Sequence, residues 1–284
     1  MSQHSVDQIG IVQSVNQRIP ITPDMQPVSL RAKPLQRKMP KWIAPLVFVV
    51  LIALWEGLSR LGWINPLVLP SPAEIFTALQ DLWRSGDLWR HMGASLQRLA
   101  IGWSLGSAVG IAFGMIIGLF SLARAGLLPV VSALFPVPKI ALLPLFIIWF
   151  GIGESSKVAT IAFGAFFPTV IATYSAVDGV DRQLIRMAQS FGVRGGALVR
   201  KVILPGALPG ILSGFRISIS IAIILLVAAE MIGAQKGIGT YILTAGALFR
   251  TDQLLAGVAL LSLLGVTMAW LIGLLERYLL RWRG

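Results

Sequence analysis

The amino-acid sequence predicts an all-α integral membrane protein with six transmembrane helices, and three observations carry that reading. Hydrophobic residues occupy 56% of the 284 positions and charged residues 13%, with a mean hydropathy of +0.79, more apolar surface than a soluble domain of this size can use. The apolar residues fall in runs of about 20, the length that crosses a hydrocarbon core as a helix, and the short alternating strands of a barrel are absent. The net charge of +12 lies mostly between those runs, as the positive-inside rule requires. No aromatic-studded basic groove suited to nucleic acid can be read there.

Residues 1–41 form a polar tail with Pro20, Pro23, Pro27, Pro34 and Pro40, too weakly periodic to pack and expected to be disordered. The first apolar run starts too late for a cleavable signal peptide. Arg31, Lys33, Arg37, Lys38 and Lys41 close the tail and place the N-terminus in the cytoplasm. The membrane domain is expected over 42–284. Its first span runs from about Trp42 to Leu61, with Glu56 near the outer end within snorkelling reach. The external segment Gly62 to Gly93 holds His91 and a surface helix that starts at Pro72 and Glu74, with Ile75, Leu79, Leu82 and Trp83 on one face.

The second span, about Leu99 to Phe120, carries Gly102, Gly106, Gly110, Gly114 and Gly118 at steps of four. Such a stripe predicts close helix packing rather than a ligand site. The third, about Leu127 to Phe150, is interrupted by Pro129, Pro136, Pro138 and Pro144; broken backbone at membrane depth must be buried in protein or line a wet cavity, often beside a transport path. The fourth span is Val158 to Val177, the fifth Leu208 to Ile232 and the sixth Leu254 to Leu275. Arg182, Arg186, Arg194, Arg200 and Lys201 in the fourth connection, and Arg277, Arg281 and Arg283 at the end, put both termini in the cytoplasm.

Catalytic chemistry finds little to work with. Cysteine is absent and His4 and His91 are the only histidines, which argues against disulfides and against thiolate, haem or histidine metal sites. A membrane enzyme would need clustered His, Asp or Cys residues. There is no G-x-x-x-x-G-K-[ST] phosphate loop, so the chain is expected to bind no cofactor and to hydrolyse no ATP itself. An ion-gradient-driven secondary transporter is the alternative, but it calls for two related halves and midplane acids, and neither is evident.

The cytoplasmic loop 178–209 is too polar to span, yet helical in period. Leu184, Ala188 and Phe191 share a face, Gly192 offers a stop, and Val199 with Val202 or Ile203 continues a second helix that Pro205 is expected to end. Two short helices on a glycine hinge make a docking knob. At Ala188, Gly192, Leu204, Pro205 and Pro209 the sequence resembles the Glu-Ala-Ala loop of bacterial ABC importer permeases. The resemblance extends over about Lys41 to Gly284 through LPSP (Leu69 to Pro72), PLFIIWFGIGES (Pro144 to Ser155), ILPGALPGI (Ile203 to Ile211) and AEMIGAQKGIG (Ala229 to Gly239). It is closest to the branch importing aliphatic sulfonates, taurine and nitrate.

The resemblance implies a type I ABC importer-like permease fold with a cytoplasmic coupling-helix loop, in the bacterial inner membrane. It further implies a permease homodimer, cytoplasmic ATPase subunits that carry ATP and Mg, and an extracytoplasmic solute-binding protein. Asp181, Leu184, Met187, Ala188, Ser190, Phe191, Gly192, Leu204, Pro205 and Pro209 would form the ATPase-coupling set. The family's acid and first alanine fall at Arg186 and Met187, which removes the usual acidic contact. Three ionisable residues, Lys139, Arg216 and Glu230, fall within or near the later spans and are candidates for the translocation path. Lys139 and Arg216 would line it for an anion, or else snorkel or be held in a salt bridge; Glu230 would act as an outer gate or a partner of Lys236 or of the binding protein. Ser218, Ser220, Trp149 and Phe150 are further lining candidates, with packing the expected role of most of them.

Overall fold

A computed structural model describes residues 42–283. The expected tail 1–41 lies outside them. The chain divides between Leu51 and Ile52 into two units, and the packing below is that of the second. All regular structure among the described residues is helical: α1 (Ile43–Arg60), α2 (Pro72–Arg84), α3 (Asp87–Leu119), α4 (Ser121–Leu134), a 3₁₀ turn (Lys139–Leu142), α5 (Leu143–Phe150), α6 (Glu154–Asp178), α7 (Arg182–Ser190), α8 (Gly196–Leu198), a π segment (Val199–Ile203), α9 (Leu204–Met231), α10 (Ile238–Ala247) and α11 (Thr251–Leu279).

Among these residues four helices are long and apolar enough to cross a membrane: α3, α6, the continuous run Gly196–Met231 that ends in α9, and α11. A bent pair adds a fifth, so the six spans expected from the sequence are not reached in full by length and composition. The expected third span is that pair, α4 and the 3₁₀ turn with α5, turned through 91° at the break. Pro136 and Pro138 stand in the break, where missing amide donors leave no helical ladder to continue. The first expected span is α1, an apolar helix of 18 residues.

The second span starts earlier than expected. Gly86 takes a left-handed φ of +79° and caps a 33-residue α3 that begins at Asp87, so His91 lies in a helix, not a loop. At about 50 Å, α3 is longer than the roughly 30 Å hydrocarbon core. The surface helix α2 forms where expected, closed by a capping box in which Glu74 N donates to Ser71 Oγ and Ser71 N donates to Glu74. Leu82 is buried there, whereas Trp83 is exposed and meets Trp89 edge to face.

The glycine stripe of α3 packs on α6. A Cβ added at Gly102 would lie 2.7 Å from Ile161 Cβ, at Gly110 2.8 Å from Thr169 Cβ, and at Gly118 2.6 Å from Val177; at Gly106 it would overlap the Ala162 carbonyl. No larger residue fits that approach. On its other side α6 receives α9, where Gly210 and Gly214 face Ala176 and Ala172, and Gly164 faces Leu225. Small residues thus bring the backbones of α3, α6 and α9 together, and Leu99, Ile161, Ala165, Ile219, Ala222 and Leu226 join α10 and α11 in the main core.

Candidate functional site

The loop expected to couple sits at the end of the bundle where α6 finishes and α9 begins. Asp181 starts α7 by accepting a hydrogen bond from Gln183 N at 2.7 Å, the side-chain cap that frees an aspartate from a helix interior. Gly192, at φ +78°, takes the left-handed turn that stops the helix. Ile185 seats α7 against the cluster of Val177, Val180, Ile203 and Ala207. The opposite stripe has no cover among the described residues: Leu184, Met187 and Phe191 are 49%, 54% and 80% exposed. Ala188 is half-buried, Arg186 is exposed, and Ser190 Oγ donates back to Met187 O.

Leu204, Pro205 and Pro209 stand apart from that stub, in the first turns of the spanning helix. Pro205 does not end the second helix, as the sequence reading expects. The helix runs on from Gly196 to Met231 because the π segment widens the turn, with Leu204 N donating to Val199 O, and so takes up the register where proline offers no N–H.

At the other end of the bundle a buried network of charges joins four elements. Arg98 of α3 grips Glu154 at the start of α6 with two hydrogen bonds, Nε to Oε2 at 2.5 Å and Nη2 to Oε1 at 2.7 Å. Its Nη1 donates to Glu230 Oε1 of α9 at 2.8 Å and to the Lys236 carbonyl at 2.6 Å. Glu230 is fully buried and also accepts from Ser95 Oγ at 2.7 Å and Gly239 N at 2.9 Å. Lys157, itself buried, lies 3.9 Å from Glu154 and donates to Gly153 O. Two cations and two carboxylates balance, and their polar atoms are satisfied, the condition under which buried charges are tolerated.

Glu230 is therefore not an open acid, and of Lys236 it is the backbone carbonyl that enters the network. His91 Nδ1 lies 2.9 Å from Gly237 O and closes the same corner. Sequence reasoning missed Arg98, Ser95, Glu154 and Lys157. The signal for Arg98 was present: it stands four residues before Gly102, on the stripe that faces α6.

The other path candidates are separated from this network. Lys139 starts the 3₁₀ turn, donates to Phe135 O, and holds its ammonium over the Phe135 and Phe167 rings at 4.9 and 5.2 Å. Among the described residues no carboxylate pairs with it. Arg216 donates through Nη2 to Glu276 Oε2 of α11 at 2.5 Å. Ser218 is buried and accepts from Trp103 Nε1, Ser220 bonds its own helix, and Trp149 and Phe150 are exposed around the Phe146 ring.

A helical bundle of closely packed spanning segments, with the apolar stripe of a short amphipathic helix exposed on the connection between two of them, has the form of a membrane transport subunit. The chain belongs to the family of binding-protein-dependent transport system inner membrane components, which matches residues 110–281, and is a membrane-embedded permease subunit of an ABC importer. Among curated proteins it is 38% identical to one provisionally named the aliphatic sulfonates transport permease protein SsuC of Bacillus subtilis (strain 168), over 90% of this chain and 92% of that one. It is 36% identical to the taurine transport system permease protein TauC of Escherichia coli (strain K12), over 88% and 92%. Its fold is similar to a chain of the MetNI methionine ABC transporter in an inward-facing conformation, with a TM-score of 0.59 at 22% identity, covering 68% of this chain and 95% of that one.

Proposed function

We propose that this permease imports a small organic sulfonate such as taurine, as a homodimer driven by two cytoplasmic ATPase subunits and fed by an extracytoplasmic solute-binding protein. Both termini and the α7 end face the cytoplasm, in keeping with the basic residues of the connection Asp178 to Lys201. ATP and Mg act on the partner chains. The observation that carries the reading is the open stripe of Leu184, Met187 and Phe191, three large apolar side chains on a helix too short to be stable alone and presented for a partner to cover.

In this mechanism closure of the ATPase dimer moves α7, and through Val180 and Ile203 the push reaches α6 and α9 together. The bundles then rock, the outer end opens to the binding protein, and hydrolysis resets the inward state. Lys139 supplies the positive potential along the path, because Arg216 is neutralised by Glu276 and Glu230 by Arg98. An ammonium held over aromatic faces at a helix break attracts an anion without trapping it in a carboxylate bridge.

The test is coexpression with its cognate ATP-binding-cassette ATPase and solute-binding protein, followed by reconstitution in proteoliposomes. ATP-dependent uptake of radiolabelled taurine or an alkanesulfonate is expected. Uptake of an unrelated neutral solute with none of either sulfonate would overturn the cargo assignment. Failure of the ATPase to copurify with the wild-type chain would overturn the coupling assignment separately.

A further inference from the structure

At the end of the bundle that carries α7, α9 and α11 border a cavity of about 510 Å³ lined by Arg216, Gly273, Glu276, Arg277 and Leu280. Its donors are only partly used. Arg216 gives one N–H to Glu276, Arg277 gives its Nε to the Gly273 carbonyl at 3.3 Å, and the remaining guanidinium N–H groups of both find no acceptor among the described residues. One carboxylate against two guanidinium groups leaves a positive charge. Arg281, one turn further along, adds to it from its place over the Tyr278 ring, 5.2 Å from the centroid. Paired planar forks suit a tetrahedral oxyanion better than a simple ion.

The surroundings indicate where that oxyanion comes from. On the side of α11 that lines the cavity, Leu263, Val266 and Trp270 are exposed in the turns before Gly273, and Tyr278 and Trp282 stand exposed at the level of the arginines. An apolar track that ends in exposed aromatic rings and arginines matches the order of acyl chains, interface and headgroup in one leaflet. Basic pockets between membrane helices on the cytoplasmic side hold anionic headgroups for the same reason. We propose that this cavity binds the phosphate of an anionic phospholipid, with its acyl chains along the Leu263, Val266 and Trp270 face. The lipid proposal uses none of the coupling stripe and not Lys139, so it survives or falls independently of the sulfonate reading.

The experiment is native mass spectrometry of the assembled transporter released from nanodiscs, in phosphatidylglycerol and in phosphatidylcholine. Preferential retention of phosphatidylglycerol is expected, falling about fivefold for each arginine removed in R277Q and R281Q and by a smaller factor in R277K, which keeps the charge and loses the fork. Parallel samples carry millimolar inorganic phosphate or taurine, neither of which is expected to displace the lipid. Equal retention of both lipids, or unchanged retention in the doubly substituted R277Q/R281Q protein, would sink the proposal. Displacement by inorganic phosphate would show a free-anion site instead, and displacement by taurine a part of the cargo path; either overturns the lipid assignment.

Discussion

Arg98 shows how one residue can tie a membrane protein together. Its guanidinium reaches Glu154, Glu230 and the Lys236 carbonyl, yet the three contacts are unequal in burial: the Glu230 side chain is fully buried and that of Glu154 is 65% exposed. Removing Arg98 with R98M leaves Glu230 uncompensated, at a cost of about 3–5 kcal/mol. R98M is expected to lose most of its folded yield in detergent, whereas E154Q should stay within about 1 kcal/mol of the wild type. The double variant R98M/E230M should recover part of the loss, since no lone charge is then buried. Thermal melts of the purified complex would check this order; equal loss in E154Q and R98M would contradict it. Arg98 was readable as an inward-facing residue from the glycine stripe that continues it. Its partners were not, because Glu154 and Glu230 are 76 residues apart in the sequence and only the packing of α6 between α3 and α9 brings them together.

Among the elements, the bend was legible and the unbroken helix was not. Pro136 and Pro138, two residues apart, leave a helix no way to continue, and the chain turns 91° there. Pro205 carries the same local signal, but the π segment before it absorbs the missing donor, and nothing in the composition of Val199–Ile203 announces that turn. The glycine stripe was read correctly as packing, and it makes a quantitative demand. A side chain at Gly106 meets backbone rather than a flexible neighbour, so G106L is expected to cost 1–3 kcal/mol or more and to cut expression, while G126A, where nothing lies within 4 Å, should not. On α7, F191D and L184D are expected to abolish ATPase copurification while membrane insertion and detergent stability stay at wild-type levels, because both side chains are exposed. Cross-linking that finds this stripe free of any partner in the full transporter would remove the coupling role.

At the scale of the whole molecule the charges sort by depth and partner. Among the described residues Lys139 lacks the carboxylate that Arg216 and Arg98 each have, so K139M is expected to lower taurine uptake per folded transporter several-fold, leaving the binding protein's ligand affinity and the thermal stability unchanged. A stable variant that transports at the wild-type rate would show that Lys139 plays no part in conduction. The close seating of α6 between α3 and α9 has a mechanical consequence. Helices in such close contact collide at Gly102, Gly106 and Gly110 if one slides along another, so the three are expected to move together as one stiff unit. Its length is that of α6, 25 residues or about 37 Å. Under the proposed mechanism, a tilt of about ten degrees applied at the α7 end would swing the Arg98–Glu230 end through roughly 6 Å, a lever long enough to turn a small step at one end into an opening the width of a small solute.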